Sequence, residues 1–282
     1  MPVPTTKTAL KALLGANGIQ PRRFRGQNFL VDSNLIAAIA REAALEPTDC
    51  VLEVGTGPGI LTQALAATAG CVVSCDIDAP IQALARAARE WPSGVLFLTD
   101  DILDGKHRLN PAVTGPWLRE REARGLGALR VVANLPYSIA TPFLANLIWE
   151  GLPVRDALVL VQREAADRFV ARPGSGEYGP MAVAVGLLCQ ARIVRDVAPQ
   201  VFWPEPKVAS ALLSLRFLDP ARAIQLRARG LERLLSSAFL HRRKMLRSRI
   251  PQERLERAGI AGSARPEEVA PEAWVELLPP AS

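Results

Sequence analysis

Short, nearly continuous apolar runs recur along the first part of the chain, at residues 50–54, 71–75, 95–99, 129–132 and 157–161. Runs of this length without polar alternation mark strands buried on both faces. Helical patterns follow from Ile60 onward, over 80–91, over 141–150 and from Gln162 to Ala171. Strand and helix in alternation predict an α/β fold with a parallel sheet. Asp32 or Ser33 caps a further helix to about Leu45, with Leu35, Ile36, Ile39 and Ala40 on its apolar face. Residues 181–189 read as a helix and 191–197 as a strand. Residues 209–217 read as a last strand, antiparallel at the far end of the sheet. Asp219-Pro220 breaks the pattern and marks a boundary between a domain at 1–218 and a small helical one at 219–282. Residues 1–21 lack strong periodicity and are expected to be a flexible arm. Residues 104–128, rich in Gly and Pro, are expected to be a long loop with a short helix at 117–124. Residues 172–179 read as a loop of the kind that lids a site, and 199–207 as a loop with Phe202 and Trp203 at its tip.

The chemistry gathers where strands end. Glu53-Val54-Gly55-Thr56-Gly57-Pro58-Gly59 joins the first buried strand to a helix, and its glycines let the backbone approach a ligand closely. The spacing G-x-G-x-G, with an acid just before it, fits an S-adenosylmethionine (SAM) turn better than a dinucleotide turn. Asp76 ends the next strand, where a carboxylate can accept both ribose hydroxyls. Asp101 ends the third and can accept from an adenine amino group. The tetrapeptide Asn134-Leu135-Pro136-Tyr137 falls on the turn after residues 129–132. An Asn side-chain carbonyl, a backbone carbonyl held rigid by Pro136 and the flat face of Tyr137 suit a planar ring carrying an exocyclic amine. A plain turn with a core tyrosine fits the same four residues, just as turn chemistry alone would account for Gln27 and Asn28. The fold class expected is therefore a Rossmann-like SAM-dependent methyltransferase sheet with a small C-terminal all-helical domain.

Composition narrows the rest. The apolar fraction is 49% and the charged fraction 22%, ordinary for a globular protein. No apolar run approaches the ~20 residues of a membrane span, and the N-terminus lacks the apolar core of a signal peptide, so a cytoplasmic location is expected. Cys50, Cys71, Cys75 and Cys189 lack zinc-site spacing and read as reduced core thiols; with His107 and His241 as the only imidazoles, no metal is implied. The net charge of +6 is unevenly placed. Between Arg222 and Arg249 nine basic residues face one acid, Glu232, and Lys7, Lys11, Arg22, Arg23 and Arg25 stand in an acid-free N-terminal stretch. Two basic ends around a nearly neutral middle suggest a polyanion.

These motifs resemble the KsgA (RsmA) family of small-subunit rRNA adenine dimethyltransferases. The likeness rests on Gly26-Gln27-Asn28-Phe29-Leu30, Glu53 to Gly59, Asn134 to Tyr137, Gln162-Arg163-Glu164, Tyr178-Gly179, Phe202-Trp203-Pro204-Glu205-Pro206-Lys207-Val208 and Phe239 to Lys244. The resemblance implies transfer of two methyl groups from SAM to each of two adjacent adenosines near the 3′ end of small-subunit (16S) rRNA, leaving S-adenosylhomocysteine. By the same likeness Gln27, Asn28, Leu30, Gly55, Gly57, Asp76, Ile77, Asp101, Ile102 and Asn134 would hold SAM. Asn134, Leu135, Pro136 and Tyr137 would form the catalytic turn, with Phe202 on the other face of the adenine. Lys207, Arg242, Arg243 and Lys244 would meet the RNA. A small residue, Ser138 or Ala140, would leave room for the first methyl group. The implied partners are small-subunit rRNA and the assembling subunit, met by a monomer. Ala209, where the family has Asp, and Pro180-Met181, where it has Arg-Leu, bear on the RNA-facing loops. A large-subunit rRNA methyltransferase of the antibiotic-resistance type is the same-chemistry alternative. A non-catalytic ribosome-assembly or transcription factor is the other.

Overall fold

The computed structural model describes residues 3–22 and 26–279. Arg23, Phe24 and Arg25 of the basic N-terminal stretch lie outside the described residues. The expected flexible arm is instead a docked helix, α1 (Lys7–Ala16), whose N-cap Thr6 accepts from Ala9 N. Leu10 and Leu14 are buried, and the Val3 N–H donates to Gln63 Oε1 at 2.8 Å. Two leucines four apart give only one turn of apolar stripe. The partners that fix the helix are far away in sequence.

The chain then runs through β1 (Phe29–Leu30), α2 (Ser33–Ala43), β2 (Cys50–Val54), α3 (Ile60–Leu65), β3 (Cys71–Asp76), α4 (Ala79–Ala87) and β4 (Val95–Thr99). There follow α5 (Pro111–Ala123), β5 (Leu129–Asn134), α6 (Tyr137–Trp149), β6 (Val154–Gln162), α7 (Arg163–Val170), α8 (Pro180–Leu188), β7 (Cys189–Val197), β8 (Phe202–Trp203) and β9 (Ser210–Phe217). Seven strands form one sheet in the order β4-β3-β2-β5-β6-β9-β7, and β1 pairs with β8 in a separate ribbon. β2 to β6 are parallel and β9 is antiparallel to both its neighbours. The strand expected at the far end thus lies one place inside it. Ala211, Leu212, Leu213 and Leu215 of β9 are fully buried and need cover on both faces, whereas β7 exposes Gln190, Arg192, Arg195 and Asp196 and suits an edge. Helices α1 to α4 pack one face of the sheet and α5 to α8 the other.

The expected loop at 104–128 contains the thirteen-residue α5. Asn110 caps it, Pro111 occupies its first turn, and the fully buried Trp117 donates from Nε1 to Cys50 O at 3.1 Å. That anchor on β2 overrides the helix-breaking signals of Gly115 and Pro116. Residues 172–179 do not lid the site. Tyr178 is buried with its hydroxyl donating to Val269 O at 2.9 Å, and Gly174 N donates to Glu267 O at 2.7 Å.

Beyond Asp219, which caps α9 (Pro220–Ala228), come α10 (Leu231–Phe239), α11 (Gln252–Arg257) and α12 (Pro271–Glu276). Leu226, Leu231, Leu235 and Trp274 join the core that α6 and α8 build against the sheet. Among the described residues no helix is long and apolar enough to cross a membrane.

Candidate active site

The strand order reverses between β2 and β5, and open α/β sheets bind ligands at such a switch point, beyond the carboxyl ends of the strands. Gly55 follows β2, Asp76 ends β3, Asp101 follows β4 and Asn134 ends β5. Three adjoining cavities with shared lining residues run past all four. The first chamber, about 190 Å³, is lined by Gly55, Asp76, Ile77, Asp101, Ile102 and Ser138. A neck of about 30 Å³ follows between Asn28, Gly57, Asn134 and Tyr137. The neck opens into a chamber of about 410 Å³ walled by Asn28, Tyr137, Ser138, Gln162, Glu205 and Lys207.

Gly55 and Gly57 turn the backbone at φ +86° and +53°. A Cβ on Gly55 would lie 3.1 Å from Pro136 Cδ and 3.2 Å from Asn134 O, so only glycine lets the two turns approach. The Asp76 carboxylate is aimed by its own turn: Oδ2 accepts from Gly57 N at 3.0 Å and Oδ1 from Asp78 N at 2.9 Å. Asp101 Oδ1 accepts from Leu103 N at 2.9 Å, while Asn110 Nδ2 binds both Asp100 Oδ1 and Asp101 O. Ile77 is 51% exposed on the wall of the first chamber, an apolar surface fit for a stacked ring.

At the neck, α6 begins directly at Tyr137, earlier than the residue pattern suggests, with Pro136 as its N-cap. Asn134 donates from Nδ2 to Asn28 O at 2.9 Å, which turns Oδ1 the other way. Among the described residues no donor reaches Asn134 Oδ1, and none reaches the Leu135 carbonyl, whereas Pro136 O accepts from Ile139 and Ala140. Two acceptors without donors therefore stand beside Tyr137. The Tyr137 hydroxyl shares a 2.7 Å hydrogen bond with Ser210 Oγ on the fully buried start of β9, which fixes the plane of the ring. Burial pushes the phenol above its ordinary pKa, so it stays protonated.

Several expected site residues are placed elsewhere. Phe202 is 1% exposed and packs in the core through its β1–β8 pairing with Leu30, so its ring is not presented to the cleft. Leu30, also buried, lines none of the three chambers. Gln27 lines the neck, but its carboxamide is taken up: Nε2 donates to Asp78 Oδ2 at 3.0 Å and Oε1 accepts from Arg22 N at 2.7 Å. Of the two small residues, Ser138 faces the cleft and Ala140 is in the core.

Arg242 does not offer its charge outward. Its guanidinium donates to Gly176 O at 2.5 Å and Ser175 O at 3.0 Å and pairs with Glu267, binding residues 172–179 to the C-terminal helices. Arg243 and Lys244 are exposed and make no ion pair among the described residues. The three should separate by experiment. Arg242→Ala is expected to lower stability by about 1–2 kcal/mol. Arg243→Ala with Lys244→Ala should leave the denaturation midpoint in place and flatten the salt dependence of RNA binding by about 0.7 to 0.9 in log–log slope per lost phosphate contact. Denaturant titrations beside a salt series check both, and a midpoint that moves equally in the two variants would contradict the division.

Below the Gly-rich turn lies a buried polar cluster that the sequence did not single out. Glu53 Oε2 accepts from Thr62 Oγ1 at 2.5 Å and from Ser74 Oγ at 2.6 Å, while Oε1 has no partner among the described residues. Burial pushes the Glu53 carboxyl up to about 8, against the pull of those two hydroxyls. The folded protein then holds a proton that the unfolded chain releases in the ordinary carboxylate range near 4.3. Stability should fall as pH rises through the window between those values, by at most about 1.4 kcal/mol per pH unit from this group. Urea midpoints from pH 5 to 9 should decline more steeply for the parent than for Glu53→Gln, and parallel curves would count against the assignment.

The sequence family described as ribosomal RNA adenine dimethylase matches residues 18–279. A relative from Brucella canis, named ribosomal RNA small subunit methyltransferase A, is 35% identical over 277 residues, covering 95% of each chain. The fold is similar to a dimethyladenosine transferase from Plasmodium falciparum, with a TM-score of 0.71 and 22% identity over 88% of this chain and 95% of that one. It is also similar to the 23S rRNA methyltransferase ErmE, with a TM-score of 0.62 and 27% identity over 89% and 98%. The family match spans the glycine turn, the Asn-Leu-Pro-Tyr turn and the C-terminal helices alike, so the chain belongs to the ribosomal RNA adenine dimethylase family.

Proposed function

We propose that this protein is a SAM-dependent methyltransferase that dimethylates two adjacent adenosines near the 3′ end of small-subunit rRNA during subunit assembly, acting as a cytoplasmic monomer. The observation that carries the reading is the pair of unoccupied acceptors, Asn134 Oδ1 and Leu135 O, beside the face of Tyr137 at the neck between two chambers.

The first chamber fits SAM. Gly55 lines it on a turn where a Cβ would meet Pro136, Asp76 and Asp101 supply carboxylates at strand ends, and Ile77 supplies a stacking surface. When bound, SAM supplies an electrophilic methyl group. The larger chamber then takes the target adenine, which must leave its stack to reach the neck. Tyr137 provides a face for it, held in orientation by Ser210. Each N–H of the adenine amine donates to one acceptor, which fixes the nitrogen with its lone pair toward the neck. The proton released after methylation can pass to water, since the chamber is open. Ser138 is small enough to leave room for the first methyl during the second transfer. Lys207 at the rim, and the exposed Arg243 and Lys244 on the segment after α10, would hold the RNA backbone. The helices of residues 219–282 thus form an RNA-facing lobe built on the core of the catalytic sheet.

The reading is tested by incubating purified protein with SAM and assembling small-subunit particles or large-subunit rRNA, then mapping methylated nucleosides by mass spectrometry. Dimethyladenosine at two adjacent positions near the 3′ end of the small-subunit RNA is expected. Product on the large-subunit RNA alone would favour the resistance-type reaction, and no product on either would leave a binding role. Asp76→Ala should weaken SAM binding by about 1–3 kcal/mol, the scale of hydrogen bonds to a charged acceptor. Calorimetry showing unchanged affinity would remove the ribose assignment.

A further inference from the structure

On the face of the sheet that carries α1 to α4, a groove of about 320 Å³ opens between the C-terminal turn of α2 and the strands β9 and β7. Leu212 of β9 packs toward this face, so Ser214 and Arg216 share it by alternation. The β7 residues paired with these three are Arg195, Arg192 and Gln190, respectively. All three arginines are exposed. None of the Arg192, Arg195 and Arg216 side chains makes a hydrogen bond or ion pair among the described residues.

The other charges around the groove are accounted for. Arg130 pairs with Asp49 and Asp156, and Arg155 pairs with the same two acids. Asp196 faces the opposite side of the sheet and pairs with Arg163. Glu42 is the one acid on the groove wall without a partner among the described residues. Arg192 and Arg216 on the groove wall, with Arg195 continuing the same face along β7 beyond it, stand against one unpaired carboxylate and make an anion-attracting strip.

The strip also has a direction. β7 ends beside Ser210, the residue that holds Tyr137, so Arg195 lies toward the catalytic end of the sheet and Arg216 toward the opposite end. Arg243 and Lys244 lie on the segment after α10, and α10 packs on the other face. Basic surfaces therefore stand on both sides of the sheet, with the cleft at the carboxyl ends of its central strands. A planar guanidinium binds phosphate oxygens in a forked geometry that is indifferent to base sequence. We infer that Arg192, Arg195 and Arg216 form a second binding surface for the sugar–phosphate backbone of the substrate RNA, running away from the catalytic cleft. The inference rests on the rRNA reading above.

The test is a full-chain variant, Arg192→Glu with Arg195→Glu and Arg216→Glu, compared with the parent. Affinity for a protein-free 3′ fragment of small-subunit rRNA is measured over a salt series, with SAM affinity and the denaturation midpoint as controls. The expected result is a loss of affinity greater than about tenfold at 0.1 M salt. The log–log slope should shrink by about 2 to 3, at roughly 0.7 to 0.9 per phosphate contact. If the charge reversal impairs folding, the corresponding triple glutamine variant gives the same readout. Unchanged affinity and slope with both controls intact overturn the proposal. Weaker binding to assembled subunits with unchanged binding to the naked fragment also overturns it, because a protein would then occupy the groove. Methylation of assembling small-subunit particles by the parent is scored separately: a parent inactive on them sinks the reaction, while an active parent with an unshifted variant sinks the groove alone.

Discussion

Asn134→Ala is expected to lower kcat for methyl transfer by about 10²–10³-fold, the scale of removing one preorganised partner of a reacting group. The structure gives the residue two jobs. Its Nδ2 holds Asn28 O at 2.9 Å, and that bond aims Oδ1 at the neck. Losing the carboxamide would therefore remove the proposed acceptor for the amine and loosen the Asn28 segment that walls the neck beside the first chamber. The chemical effect should dominate. A missing acceptor acts on the transition state and shows in kcat, while a loosened segment shows in SAM affinity. RNA affinity should stay within about twofold, since the backbone contacts proposed here lie on other elements. Single-turnover methylation, SAM calorimetry and RNA binding in one preparation separate the effects. If RNA binding falls in parallel with activity, Asn134 is a structural residue, and retained activity would exclude it as the amine acceptor.

The second transfer adds a finer expectation. A monomethylated amine keeps only one N–H for two acceptors, so the second step depends on which acceptor that hydrogen finds. If it is Asn134 Oδ1, the variant should stall at monomethyladenosine in whatever slow turnover remains. The ratio of mono- to dimethylated product, read by mass spectrometry, should then rise above the parent's.

The parts of this arrangement that were legible in the sequence are those written locally. Strands such as Cys50–Val54 and Cys71–Asp76 are near-continuous apolar runs, and the glycine turn and the Asn-Leu-Pro-Tyr turn carry their chemistry within a few residues. What escaped depends on distant partners. Helix α1 buries only two leucines, and Gln63, which anchors Val3 just ahead of it, lies sixty residues from Val3. Helix α5 looks broken by Gly115 and Pro116 until Trp117 is seen to reach the backbone of Cys50. Ser210 gives no local hint that it holds Tyr137, because the two are joined only once β9 inserts between β6 and β7. Phe202, buried in the core, and Arg242, paired with Glu267, follow the same rule. An aromatic ring or a cation in a loop reads as available until a neighbouring strand or a distant carboxylate occupies it.

The same long-range logic makes Arg130 the position where one substitution should cost most in stability. It lies at the start of β5, 6% exposed, far from the cleft. Its Nε donates to Asp156 Oδ1 at 2.7 Å and Nη1 to Asp49 Oδ2 at 2.8 Å. It also donates to Ala43 O at 2.5 Å and Ala44 O at 3.1 Å, serving the carbonyls at the end of α2. Asp49 is fully buried and Oδ1 has no hydrogen bond among the described residues, so Arg130 is the main compensation for a carboxylate out of water. Breaking such a pair from one side costs about 3–5 kcal/mol, because the remaining charge stays buried. Arg130→Met should therefore destabilise by that amount in urea titrations, while SAM affinity measured well below the transition changes little. Adding Asp49→Asn to Arg130→Met should recover part of the loss, since the buried carboxylate, left with only the Glu46 N–H at 2.9 Å and the more distant Arg155 at 3.4 Å, is then neutral. A double variant as unstable as the sum of its single changes would show that the guanidinium acts through the α2 carbonyls instead of through Asp49.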